Sequence, residues 1–122
     1  MMGTRGEHEG AVEELLTLAG AAARAAAPDE LLAILLRGRE LYFAGLAEAE
    51  ALARSRYGVL ENRELQAMCR EEGVTYGVVM PRAEALAALG YAEWRRTPAA
   101  LAFVGIAEHA AREGVCVVPD QR

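Results

Sequence analysis

Lysine is missing from this chain, and all 13 of its basic residues are Arg. Set against 18 acidic residues, they leave a formal net charge of −5. That balance argues against tight, sequence-independent binding to nucleic acid, which depends on cations that neutralise phosphates. Polar side chains able to do chemistry are also scarce. Ser55 is the only serine, Asn62 the only asparagine, and Asp29 and Asp120 the only aspartates. The two cysteines, Cys69 and Cys116, are too few for a secreted disulfide scaffold. Cys69 reads as a small buried thiol on a helix face with Leu65 and Met68, and a Cys69–Cys116 bridge is left open. Cys69, Cys116, His8 and His109 do not follow any metal-ligand spacing. No glycine-rich phosphate loop is present. A Cys116–His109 pair would lack a third orienting group. The expectation is therefore a protein that is not an enzyme, with no catalytic residue, no metal and no cofactor. Long apolar runs are missing too, because Arg24 and Arg37 interrupt them. With no basic start followed by an apolar core, the chain reads as soluble, cytoplasmic and not associated with a membrane.

What the chain does have is alanine and leucine. Hydrophobic residues make up 53% and charged residues 25%, a balance that favours a folded domain over a disordered chain. Alanine favours helix, so the chain should be mainly α. Acidic residues outnumber Arg by nine to six in residues 1–56, by six to five in 57–97 and by three to two in 98–122. The middle is the least acidic long segment, but it is not basic.

Residues 1–9 lack periodicity and read as a flexible tail. Residues 10–56 read as N-terminal helices used for packing or dimerisation. The first runs from Gly10 to Ala27, with Val12, Leu15, Leu16, Ala19, Ala22, Ala23 and Ala26 at helical spacing. Pro28 opens a second at its favoured first position, with Asp29 and Glu30 near the positive end of the dipole. Its Leu31, Leu32, Leu35 and Leu36 make a wide apolar face, read as core or as a dimer contact, and Gly38 is expected to close it. A third spans Arg39 to Arg54 with Tyr42, Leu46, Ala49 and Ala53 as its stripe. Tyr57 to Leu60 then reads as a turn and a short extended piece.

Residues 57–122 contain the most informative stretch, Asn62 to Arg96. Asn62 is a suitable N-cap for a short helix with Leu65, Met68 and Cys69 inward. Gly73 supplies a left-handed stop. Thr75 can cap a following helix with Val79, Leu86 and Leu89 inward, ended by Gly90. Tyr91-Ala92-Glu93-Trp94 alternates like a strand. The order Gly73-Val74-Thr75, Val79, then Leu86-Ala87-Ala88-Leu89-Gly90-Tyr91 resembles the winged helix-turn-helix family of DNA-binding proteins, over about 35 residues. The fold that this resemblance implies is mainly α with a small β-sheet, a winged helix-turn-helix-like domain preceded by N-terminal helices.

The resemblance also implies a function, a homodimeric transcription regulator that binds double-stranded DNA. The start of the recognition helix would enter the major groove. Thr75, Tyr76, Met80 and Arg82 would face the DNA, and Arg95 and Arg96 would meet phosphate or the minor groove from the wing. Each has a plainer reading as a half-buried ring or a solvated surface residue. Pro81 opens an alternative for the backbone, because inside a helix it costs about 3 kcal/mol. Val74 to Met80 would then be a strand and Pro81 the first helical residue. Thr97-Pro98 likewise reads either as a wing tip or as the start of one helix from Pro98 to Glu113. The competing function is a non-enzymatic helical adaptor or small subunit of a larger protein or nucleoprotein assembly, suggested by the net charge and the Ala/Leu-rich faces.

Overall fold

Alanine-rich helical patterning carries through to the tertiary structure more completely than the wing pattern allows. The computed structural model describes residues 3–74 and 81–115, with side chains from Gly10 onward. Five helices follow in order: α1 Gly3–Arg24, α2 Pro28–Tyr57, α3 Asn62–Glu71, α4 Arg82–Trp94 and α5 Pro98–Arg112. Among the described residues there is no strand. The expected small β-sheet is thus corrected to an all-α fold. Two local features explain the change. First, α4 does not stop at Gly90 but continues to Trp94, so Tyr91–Trp94 is helical, with Ala92 and Trp94 buried. Second, the Thr97 hydroxyl accepts from Ala100 N at 3.2 Å and Pro98 takes the first turn, so α5 starts where a wing would bend back.

Gly38 does not close a helix either. The two expected helices are one, α2, with Gly38 buried inside it. Pro28 does open α2, and the Glu30 carboxylate accepts from Ala26 N at 3.3 Å. At the front of the chain, α1 begins at Gly3.

The chain divides into two compact units, Met1–Gly45 with Thr97–Arg122, and Leu46–Arg96. The first contains α1, the N-terminal part of α2, and α5, with α1 packed on α5. Its core joins Ala22, Leu31, Ile34, Leu35, Ile106 and Ala110. Gly38 admits the Phe103 ring: a Cβ there would lie 3.1 Å from Phe103 Cδ1. Tyr42 stacks on the same ring at 4.9 Å. On another flank of α2, Arg37 donates to both oxygens of Glu14 at 2.8 and 3.0 Å, a forked pair.

The second unit contains the rest of α2, α3 and α4. Its core is Leu65, Cys69, Ala85, Leu86 and Leu89, with Tyr57, Met68 and Val74 packed against it. The expected inward positions Leu65, Cys69, Leu86 and Leu89 are all buried, and Met68 is half-buried. Gly90 lies in the middle of α4 against the backbone of α2. A Cβ there would come within 2.7 Å of Glu50 Cα and 2.8 Å of Ala49 O. Two helices in such close approach have no room for a side chain between them.

One motif closes a helix in each unit. Gly73 has φ 77°, the left-handed stop that its position suggested, and Gly114 has φ 80°. Gly73 N donates to Arg70 O at 3.2 Å and Val74 N to Cys69 O at 2.7 Å. Gly114 N donates to Ala111 O at 3.0 Å and Val115 N to Ala110 O at 2.7 Å. Both are Schellman caps. In both, the following valine packs on the core of its own unit.

Candidate nucleic-acid interface

Of the six residues proposed to read DNA, Arg82 opens α4, and Arg95 and Arg96 follow its end. Thr75, Tyr76 and Met80 lie outside the described residues, as does the choice between helix and strand for residues 75–80. Pro81 is the N-cap of α4, with φ −62° and ψ 146°. It precedes the helix and does not interrupt one.

Arg82, the first residue of α4, points its guanidinium back into its own unit. It donates to Asn62 Oδ1 at 2.6 Å, to Gly58 O at 3.0 Å and to Leu60 O. Three acceptors from the α2–α3 connection and the first residue of α3 are thereby tied to the start of α4. Asn62 is not the N-cap: Glu61 is, and the Glu64 carboxylate accepts from Glu61 N at 3.0 Å. The Asn62 side chain is left to receive Arg82. The sequence put Asn62 at a helix start but left Arg82 either inside a helix begun at Thr75 or just after Pro81, and neither reading joined the two. Which helix start meets which is a tertiary fact.

Arg95 and Arg96 are both exposed and follow α4 directly. Arg96 pairs with Glu72 at 2.5 Å. The hydrogen bond from Arg96, helped by its charge, holds the Glu72 carboxyl below its ordinary range. Arg95 lies over the Tyr91 ring, 5.8 Å from its centroid. A further polar link was missed in the sequence. The Tyr57 hydroxyl donates to Glu93, and Arg56 lies 3.8 Å from the same carboxylate. The hydrogen bond to Glu93 is the first cause that raises the Tyr57 pKa, with burial adding to it.

In charge, the second unit carries seven Arg against eight acids and the first unit six against ten. Neither presents a surplus of cations. Cys69 is a free, fully buried thiol pushed up in pKa by burial, and Cys116 lies outside the described residues. Among the described residues no group of three or more His, Cys, Asp or Glu could hold a metal ion. None of the described helices is long and apolar enough to cross a membrane. A groove of about 310 Å³ lies between α1 and α5, floored by Ala19, Ala22 and Ile106, with His109 and Arg112 as its polar lining.

Large apolar side chains also stay exposed on the helices. Leu32, Leu36, Phe43, Leu101 and Val104 in the first unit are 37%, 43%, 51%, 57% and 43% accessible. Comparison with protein-family models, curated proteins and solved structures finds no match for the chain.

Proposed function

We propose that the protein is a non-enzymatic helical adaptor, a small subunit that works by binding other protein surfaces. The observation that carries this reading is how the side chains are used. Arg82 and Arg96 are engaged with acceptors of their own unit, while large apolar side chains are left facing outward. A DNA-binding surface needs the reverse, cations facing outward. Protein interfaces draw on aromatic and aliphatic anchors of the kind exposed here. Cross-linking in the source cells, followed by mass spectrometry, tests the reading. The expected result is this chain joined to polypeptide through its first unit. Recovery joined only to nucleic acid would overturn it.

A second reading, a DNA-binding transcription regulator, has its own support. The helix α3, the left-handed Gly73 and the later helix α4 follow in order, and the exposed Arg95 and Arg96 stand at the end of α4. It predicts duplex binding that falls steeply with salt and weakens in an Arg95→Ala/Arg96→Ala variant. Under the adaptor reading, both forms bind duplex no better than a neutral control protein.

A further inference from the structure

Among the described residues, the wide leucine face of α2 is used on two of its sides. Leu31, Ile34 and Leu35 enter the core of the first unit. Gly38 and Tyr42 meet Phe103 of α5, and Arg37 reaches Glu14 of α1. A third line of residues runs along the same stretch: Asp29, Leu32, Leu36, Arg39 and Phe43. Their steps of three, four, three and four are the spacing of a coiled-coil seam. All five are exposed. The two leucines stand at the centre, with an acid one turn before them and an Arg one turn after. Arg39 lies over the Phe43 ring, 5.7 Å from its centroid.

We infer that this seam pairs with the same seam of a second copy, antiparallel, about a two-fold axis level with Ile34. The inference rests on the adaptor reading and names one partner for it. Charge selects both direction and register. In a parallel pair, Asp29 would face Asp29 and Arg39 would face Arg39. In the antiparallel pair, Leu32 packs on Leu36 of the second copy, and Asp29 faces its Arg39, at both ends of a four-leucine centre. The symmetry is self-complementary, as an isologous interface requires. Antiparallel helix dipoles add to the preference. The apolar area is modest. In this register Phe43 lies beyond the paired stretch, and the exposed parts of Leu32 and Leu36 leave on the order of 150 Å² per copy, so the dimer belongs with weak, reversible interfaces.

Sedimentation equilibrium of the full chain at low salt tests the pairing, with circular dichroism to check that each variant is folded. The wild type should dimerise reversibly as concentration rises, and Leu32→Glu/Leu36→Glu should stay monomeric. Asp29→Arg alone, and Arg39→Asp alone, should each raise the dimer Kd by on the order of tenfold or more, since each sets like charges face to face. Mixing the two single variants should restore wild-type affinity, because each then supplies the charge that the other needs. A wild type monomeric throughout overturns the inference, as does a dimer that survives the leucine changes. A dimer lost in the leucine variant but not rescued by mixing overturns the proposed register. If the wild type is monomeric yet cross-links to another polypeptide, the seam pairing fails and the adaptor reading stands. Without either result, both fail.

Discussion

The two units reach helix packing by different means. In the first, long helices meet through Leu, Ile and Ala, and where α2 and α5 need room the accommodating partner is a side chain, Phe103 beside Gly38. In the second, shorter segments meet almost backbone to backbone at Gly90, and polar side chains tie the connections: Arg82 to Asn62 and two carbonyls, Tyr57 to Glu93, Arg96 to Glu72. A short helix has little apolar surface with which to hold its place, so specific polar contacts carry more of the positioning. The first unit has such a tie in the forked Arg37–Glu14 pair, beside its apolar core.

The sharpest test sets the two glycines against each other. Both lie inside helices, where Ala is favoured over Gly by roughly 1 kcal/mol. Gly90→Ala forces a methyl group against the Glu50 and Ala49 backbone, which cannot yield, and should destabilise the protein by about 2–3 kcal/mol. Gly38→Ala meets only the edge of the Phe103 ring, which can shift by a few tenths of an ångström, so its effect should stay within about 1 kcal/mol. Urea unfolding measures both. Equal losses would erase the contrast between side-chain and backbone contact.

Next in size is the Arg82 tie. Arg82→Ala removes a charged donor from two backbone carbonyls and Asn62, with an expected loss of about 1–2 kcal/mol. Arg82→Lys should recover only part of it, since an ammonium cannot spread three donors over those acceptors as the planar fork does. Amide exchange should quicken at the starts of α3 and α4 while α1 and α5 keep their protection. Faster exchange spread evenly over both units would show that the tie does not act locally.

The smallest effects come from pH. Glu14 and Glu72 have carboxyl pKa values held below the ordinary 4.5, in each case chiefly by the hydrogen bond from an Arg. Their contribution is therefore fully present above about pH 4.5 and is lost as pH falls through the lower folded values. Both pairs are exposed to solvent, so the loss should be slight and should shrink with added salt. Tyr57 works in the opposite direction. Its pKa is raised above 10.0, first by the hydrogen bond to Glu93, so its contribution is present below that value and is lost as pH rises through the folded one. Thermal melts from pH 3 to 11 should show an acid-side decline in Glu72→Gln that is shallower than in the wild type, and the same for the alkaline side in Tyr57→Phe.

Much of the fold was legible in the sequence where a signal is local. Alanine and leucine spacing gave helix; Pro28 and Thr97-Pro98 marked starts; Gly73 marked a stop, with the cap expected of it. The errors arose at glycines. Gly38 and Gly90 were read as stops because the same residue that frees a backbone turn also lets a neighbour come close, and sequence spacing does not separate the two uses. Reading Gly90 as a stop carried the wing with it, and the expected sheet with the wing. Likewise Arg82 looked outward on the helix pattern, but the Asn62 side chain and the Gly58 and Leu60 carbonyls, twenty or more residues earlier, draw it inward.

The sequence by itself determined the helical character, the glycine stop after α3, the Thr97-Pro98 start of α5, the small number of chemically active side chains and the acidic balance, because each is set by residue type or by neighbours within one or two turns. Only the tertiary structure decided where helices continue through glycine and which Arg is occupied at home. It also showed that the seam of Leu32 and Leu36 is left open while Leu31, Ile34 and Leu35 are covered. The physical reason is the same throughout. Local geometry fixes φ and ψ over a few residues, whereas close approach, burial and charge pairing depend on groups brought together from distant parts of the chain.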